Sequence, residues 1–384
     1  MTVPDIYAHS EHQLHNFIEN KVLDYSDLRN YDPGPKQPPN VSQLSPYISH
    51  RILLEYNIVN QILAKYPFPK TEKYIQEIFW RIYWKGWLEL RPDVWTDFVK
   101  ESSVDNQSQA YLDAINAETN IDFFNAWVRE LKEYNYLHNH ARMWFASIWV
   151  FTLKLPWQLG ASFFLENLYD GDPASNTLSW RWVAGLQTKG KNYLATKSNI
   201  EKYSNIIVGS INLMDNAAPI IESCQYPIQS LSHNPKSRSK YHNLLIFETE
   251  LNQQHSKVDY AGYDNIFVLL LGNDQRQIKL SEKVLTFKRD LIKNFQMAFK
   301  TPQIIDTNFI ENYCRSGKNL DILYPFVGDN LHYLERLQSI FKTSFNMILR
   351  NNDIYCWQFA NKGYFNFKKN LADILKHTSQ DGSR

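Results

Sequence analysis

The hydrophobic period of this chain changes once, near residue 204, and that change limits the folds open to it. Up to about Tyr203, apolar residues recur at helical spacing. Ile52–Lys65 ends before Pro67. Tyr74–Leu90 follows Thr71 as a predicted N-cap and stops before Pro92. Phe124–Glu133, His138–Leu153 and a stretch from Pro156 through 163–168 continue the pattern. No strand-like alternation interrupts them. Beyond 204 the grammar differs. Asp215–Lys240 is mostly polar, with Pro219, Pro227, Pro235 and the run Lys236-Ser237-Arg238-Ser239-Lys240, and reads as a linker or an irregular arm. Then Leu244-Leu245-Ile246-Phe247 and Ile266–Leu271 form short unbroken apolar runs bounded by turn residues. That is the pattern of strands buried on both faces of a parallel sheet. A helix over Glu282–Phe299, a strand over Gln303–Asp306, and Leu320–Phe326, Leu331–Phe341 and Asn346–Leu349 extend the alternation. The expected fold is multidomain, α followed by α/β: an all-helical domain at 1–203, a linker at 204–242, and a parallel-sheet α/β domain at 243–384.

Composition narrows the function classes. The 384 residues carry a formal charge of +1, which excludes binding of nucleic acid through a charged tail but leaves room for a local basic face. Three cysteines, Cys224, Cys314 and Cys356, are too far apart for a zinc or iron–sulfur spacing and suit a reducing compartment. His138 and His140 stand two apart on a helix and point apart, so no metal is expected. The start, Met1-Thr2-Val3-Pro4-Asp5, lacks an apolar signal region, and the longest apolar run is too short to span a bilayer. The expected setting is cytoplasmic, with no membrane partner. Of eleven tryptophans, ten lie between Trp80 and Trp182, which marks a packed helical core or a site that uses indoles.

Four constellations carry candidate chemistry. Ser42-Gln43-Leu44-Ser45-Pro46-Tyr47 sets two hydroxyls before a helix start, where backbone N–H groups can receive a phosphate; taken alone, a Ser-Pro cap explains it more simply. Glu77, Trp80, Arg81 and Trp84 fall at i, i+3, i+4 and i+7 and share a helix face. They form either a surface ion pair beside core aromatics or the wall of a pocket that sandwiches an extruded base. Asn139, Arg142 and Met143 share another face, and a buried Arg142 needs a carboxylate, for which Asp170 and Asp172 are candidates. Last, Tyr169-Asp170-Gly171-Asp172-Pro173-Ala174-Ser175-Asn176 closes on Trp180-Arg181-Trp182. Two carboxylates, an amide and two indoles suit the polar edge, the redox nitrogen and the electron supply of a flavin. The plainer reading is a turn followed by a helix cap.

In this order and at these gaps, the segments resemble the flavin-binding domain of the photolyase/cryptochrome family over roughly Tyr31 to Tyr203. Ser42-Gln43-Leu44-Ser45-Pro46-Tyr47 resembles the family's Thr-Ser-x-Leu-Ser-Pro-Tyr loop, with Val41 in place of the Thr. Glu77 with Trp80-Arg81 resembles Glu-x-x-Trp-Arg, and His138–Met143 resembles His-Asn-Arg-x-Arg-Met. Asp170–Asn176 with Trp180-x-Trp182 resembles Asp-Gly-Asp-x-Ala-x-Asn followed by Trp-x-Trp. The resemblance implies reduced, non-covalent FAD. Ser42, Leu44 and Ser45 would hold its diphosphate. Asp170 would pair with Arg142 beside the ring, Asp172 would meet the pyrimidine edge and Asn176 would face N5. Tyr31, Arg81, Asn139 and Gly171 complete the cofactor set. Glu77, Asn139, Trp157 and Trp180 would serve catalysis. Trp80, Trp84, Met143 and Trp182, with Glu77 and Asn139, would line a lesion pocket, and His140, Arg181, Lys189 and Lys191 would meet DNA.

The implied activity is that of a lyase: light-driven repair of cyclobutane pyrimidine dimers in UV-damaged DNA by a monomeric flavoprotein. A cryptochrome-like photoreceptor is the second reading, and a helical binding protein without flavin the third. Asn176 favours repair, since plant cryptochromes carry Asp and insect ones Cys at that position. Three departures stand out. The third tryptophan of the family's photoreduction chain would fall near Ser102, which leaves Trp84, Trp87, Trp95, Trp144 and Trp149 as candidates. The run Leu186–Tyr193 does not follow the family's Pro-Tyr-Phe-Arg pattern. And Gly363-Tyr364-Phe365-Asn366-Phe367-Lys368 resembles the end of the Rossmann-like antenna domain that the family places first. A circular permutation is therefore expected; whether an antenna chromophore binds is not legible.

Overall fold

The computed structural model describes residues 5–103, 108–231, 235, 239–253, 260–299 and 302–381. The first half is helical: α1 (Ile6–Asn20), α2 (Tyr25–Leu28), α3 (Ser45–Ser49), α4 (Glu55–Lys65), α5 (Phe68–Glu89), α6 (Asp93–Ser102), α7 (Gln109–Asn116), α8 (Asp122–Tyr134), α9 (Asn139–Ser147), α10 (Trp157–Asn167), α11 (Pro173–Ala184) and α12 (Lys197–Tyr203). A π-helical turn, Ile148–Thr152, extends α9. The 22-residue α5 is the central post, packed against α4, α11 and later elements. It starts earlier than the sequence suggests. Pro67 caps it and Pro69 sits in its first turn, where a missing N–H is harmless. Thr71 is therefore inside the helix, with its buried hydroxyl unpaired, and is not the N-cap. In the same way α4 begins only at Glu55, because Arg51 adopts a left-handed φ of 52° that breaks the chain before it.

The second half holds a parallel sheet, β1 (Asn243–Phe247), β2 (Asn265–Leu269), β3 (Pro302–Ile305), β4 (Leu320–Leu323) and β5 (Phe345–Ile348), in the order β3-β2-β1-β4-β5. Leu245 is in register with Phe267 on one side and Ile322 on the other. Helices α13 (Glu282–Ala298), α14 (Thr307–Arg315) and α15 (Asp329–Phe341) link successive strands from β2 to β5. They cover the sheet, so β1 and β2 bury every residue after their first, which is why these strands read as unbroken apolar runs. The chain ends in α16 (Asn351–Trp357), α17 (Tyr364–Lys369) and α18 (Leu371–Asp381), which return to the helical half. α16 comes so close to α5 that a Cβ on Gly86 would lie 2.4 Å from the Trp357 ring. Most of the basic run at 236–240 lies outside the described residues.

A buried charge cluster ties the halves together. Arg51 is fully buried and donates to Asp353 at 2.6 and 2.9 Å and to Glu250 at 3.2 Å, while Glu55 lies 3.5 Å away. Tyr56 donates to Asp353 at 2.8 Å, and Arg350 completes the cluster on Glu250. Burial pushes the Glu55 carboxyl up, against the pull of Arg51. Arg51→Met leaves two buried carboxylates unpaired and is expected to cost about 3–5 kcal/mol. Glu55→Gln, at a carboxyl whose charged form burial already disfavours, is expected to cost about 1 kcal/mol. Urea unfolding of both variants checks this; equal losses would refute it.

Candidate functional site

The two carboxylates of Asp170-Gly171-Asp172 have separate duties, and the backbone sets them apart. Tyr169 N donates to Asn135 O at 3.0 Å and Gly171 N to Leu168 O at 3.1 Å, which pins a tight turn. A Cβ on Gly171 would come within 3.1 Å of the Leu168 carbonyl, so glycine suits the approach. Asp172 is the N-cap of α11 and accepts from Ser175 N at 2.8 Å, with Pro173 in the first turn. Its other oxygen accepts from Lys85 Nζ at 2.5 Å. Burial alone would raise this carboxyl; Lys85 and the Ser175 backbone bring it down to about 2. Asp170 turns the other way and accepts a two-pronged contact from Arg142, at 3.0 and 2.9 Å. Arg142 also donates to Leu137 O at 2.9 Å, which fixes its fork. Asp170 is buried, yet Arg142, Arg81 and Ser45 hold it below the usual carboxylate range.

Further candidate residues come from other segments of the helical half. Asp32, Arg81, Arg142 and Asp170 all act on the Tyr136 phenol. Asn176, itself buried, donates its amide N–H to Ala161 O at 2.8 Å, which commits the amide nitrogen to the protein. Ser42 accepts from Tyr74 Oη at 3.0 Å and Leu44 is fully buried, while Gln43 adopts a φ of 51° that turns the chain into α3. Tyr31, exposed, meets Tyr203 edge-on across 5.1 Å.

The remaining candidates divide. Glu77 is engaged by Arg29 at the C-terminal cap of α2, whereas Arg81 makes no hydrogen bond or ion pair among the described residues. Trp80 stacks on Tyr364 of α17, 3.5 Å between centroids at 12°, and Trp84 is buried 5.0 Å from Trp80. Asn139 is exposed and sits 3.9 Å from the Met143 sulfur. Trp182 stacks on Tyr193 at 5.6 Å. Lys189 and Lys191 are exposed in the loop after α11. Two residues read as DNA contacts lie inside the protein instead. His140 is bound on both ring nitrogens, by Asn30 O at 2.8 Å and Tyr193 Oη at 3.2 Å, and Arg181 is 3% exposed and forks onto Glu222 at 2.9 and 2.7 Å. Trp180 packs against Gly160, and Trp157 stacks on Phe98. Sequence reasoning missed Lys85, Tyr136, Glu222 and Tyr364. Lys85 was within reach: it stands four residues after Arg81 on the same helix, and a buried Asp172 requires a cation.

A sequence profile described as the FAD binding domain of DNA photolyase matches residues 74–207, the span that carries Glu77, Arg142, Asp170 and Asn176. Over that span the chain is similar to the FAD binding domain of DNA photolyase. A deoxyribodipyrimidine photo-lyase of Streptomyces griseus is 32% identical over 178 residues, covering 45% of this chain and 37% of that protein. One of Buchnera aphidicola subsp. Baizongia pistaciae is 28% identical over 239 residues, covering 57% and 47%. A bacterial class III photolyase from Agrobacterium tumefaciens superposes with a TM-score of 0.44 at 23% identity, over 51% of this chain and 42% of that one. The chain thus spans less than half the length of these relatives.

The residues of this photolyase-type domain fit FAD. The unpaired Arg81 guanidinium and the Ser42 and Ser45 hydroxyls are the donor set a diphosphate needs, and the Asn176 oxygen is an acceptor oriented by a buried bond. Arg142→Ala is expected to strip FAD from the purified protein, read as lost flavin absorbance after gel filtration. The Lys85–Asp172 pair yields a second expectation. Asp172 titrates below its unfolded value, so its contribution is complete above about pH 4 and fades as pH falls towards 2. Lys85→Met removes the contribution at every pH, at a cost of about 3–5 kcal/mol near neutrality. The gap in urea midpoint between variant and wild type should therefore narrow in acid, and a constant gap would contradict the pairing.

Proposed function

We propose that this protein repairs cyclobutane pyrimidine dimers in UV-damaged DNA as a deoxyribodipyrimidine photo-lyase. The supporting observation is the buried Arg142–Asp170 pair, together with the Asn176 amide, whose nitrogen is committed to Ala161 O. Reduced FAD, when bound, supplies a light-excited electron that splits the dimer and then returns, with no net redox change. The protein's own residues bind and orient. Arg142 and Asp170 neutralise each other beside the ring, so that neither adds net charge to it. Asn176 offers an acceptor that suits an N5–H. Asn139 and Met143, adjacent on α9, offer one wall for an extruded base, and Trp182, braced by Tyr193, offers another. On the 1–203 side this gives a helical FAD domain; we read 243–384 as the family's α/β domain, moved behind it by permutation. Monomeric, cytoplasmic action on DNA accords with this reading.

A cryptochrome-like light sensor is the second reading, favoured by the absence of tryptophan near Ser102. Illumination of the reduced protein with dimer-containing oligo(dT) separates the two. Recovery of thymine absorbance supports repair, and its absence with flavin bound supports sensing. Lys189 and Lys191, exposed beyond Trp182, should act on phosphates. Replacing each by Ala should weaken binding of damaged DNA and lower the slope of log K against log salt by about one. An unchanged slope would remove these lysines from the interface.

A further inference from the structure

The aromatic contacts around Trp180 lead away from Trp157. Among the described residues, Trp180 has no direct ring contact with Trp157 but meets Trp149 edge-on, with centroids 6.2 Å apart at 84°. Trp149 in turn meets Tyr111 of α7 at 6.0 Å and 87°. Trp180 and Trp149 are buried, at 2% and 0% exposure, and Tyr111 is half-buried at the surface. The three rings therefore run from the interior to solvent in two edge contacts. Trp149 lies in the π-helical turn at Ile148–Thr152, a local distortion of the kind found at functional positions, and its indole N–H donates to Pro156 O at 2.9 Å. That carbonyl stabilises positive charge on the indole.

The route through Trp157 has the opposite character. The Arg181 guanidinium lies 5.8 Å over its ring, and a cation there makes removal of an electron harder. On its other side Trp157 stacks on Phe98, 5.7 Å away, and only beyond that phenyl ring comes Trp95, itself buried. Phenylalanine is far harder to oxidise than tyrosine or tryptophan, so this branch ends at Phe98.

We propose that Trp149 and Tyr111 are the electron-relay residues that recharge Trp180 in this chain, with Tyr111 as the terminal donor. The proposal rests on the FAD-dependent reading above. Light-excited oxidised FAD takes one electron from Trp180, Trp180 takes one from Trp149, and Trp149 takes one from Tyr111. The Tyr111 phenol loses that electron and passes its proton to water, becoming a neutral tyrosyl radical. An external thiol returns one electron and one proton to it and ends as half of a disulfide. Before oxidation the phenol keeps its proton, since burial, reinforced by the Glu166 carboxylate, pushes its pKa up.

The test uses FAD-loaded full-length protein and the variants Tyr111→Phe and Trp149→Phe, illuminated in the oxidised state with and without thiol. Electron paramagnetic resonance of frozen illuminated samples identifies the radical, and flavin absorbance follows reduction. The expected wild-type signal is a tyrosyl spectrum that thiol quenches. Both variants, with flavin retained and unchanged circular dichroism, should lose that spectrum and bleach several-fold more slowly. A Tyr111→Phe protein with the wild-type tyrosyl spectrum and bleaching rate overturns the relay while leaving FAD binding intact. A wild-type protein that holds no flavin overturns the functional reading and the relay with it. Trp149→Phe is judged by the spectrum as well as the rate, because a change in packing alone does not move a radical from one residue to another.

Discussion

The burial of Arg51 is the constraint on which the arrangement of the two halves depends. A guanidinium with no access to water must find its anions inside the protein, and Arg51 finds them in both halves: Glu55 beside it in the helical part, Glu250 just after β1 and Asp353 in α16. No single half could satisfy it. Pairing across the boundary is what offsets the several kcal/mol of desolvation that each of these buried ions carries. Neighbouring contacts follow the same line. Leu251 N donates to His50 O at 3.0 Å, and Glu89 at the end of α5 accepts from Tyr324 Oη and Val327 N, both at 2.7 Å. These fix the loop after β4 to the foot of α5. Helix α5 therefore carries the candidate residues Glu77, Arg81 and Lys85 and has its C-terminal end anchored in the sheet half.

That anchoring reaches the site directly. Tyr169, immediately before Asp170, stacks on Phe287 of α13 at 4.4 Å, and Ser281 at the start of α13 donates to Glu166 O at 2.9 Å. Lys288, one residue past Phe287, donates to His50 Nε2 at 2.9 Å and lies 3.6 Å from Glu248. Burial pushes His50 down to about 3, so it is neutral and can accept there while Nδ1 donates to Pro46 O at 2.7 Å. The loop that carries Ser42 and Ser45 and the turn that carries Asp170 are thus both pinned to α13. A helix of the sheet half holds these two segments of the candidate site at a set distance.

Much of this was legible in the sequence, and the limits were physical. Strands β1 and β2 declared themselves because a parallel strand buried on both faces has no room for polar residues. The Arg142–Asp170 pair was legible because a buried cation narrows its partner to the nearest carboxylates. Helix starts were less so. Thr71 carries the right side chain for a cap, but Pro67 and Pro69 had already fixed the backbone three residues earlier. His140 and Arg181 were read as surface cations because sequence shows charge without showing depth. Their partners, Asn30, Tyr193 and Glu222, lie 110, 53 and 41 residues away, and no local pattern announces them. Glu222 belongs to the arm between the halves, which reads as a linker by composition yet delivers a carboxylate to a buried guanidinium.

The same depth argument bears on Trp80. Its ring is stacked by Tyr364, whose hydroxyl donates to Gln76 O at 2.9 Å, while Tyr83 donates to Lys362 O at 2.8 Å. One indole face is therefore closed by the tail of the sheet half, which leaves only the other for any further stacking partner. A rigid backing of this kind removes the rotational freedom an isolated indole would lose on stacking a flipped base, so the cost of ordering is met in the fold rather than at binding. The sheet half thus braces this indole from behind. Its last helices hold the indole still, and its α13 holds the turn that bears Asp170. This bracing depends on contacts between surfaces and not on the order of the elements along the chain.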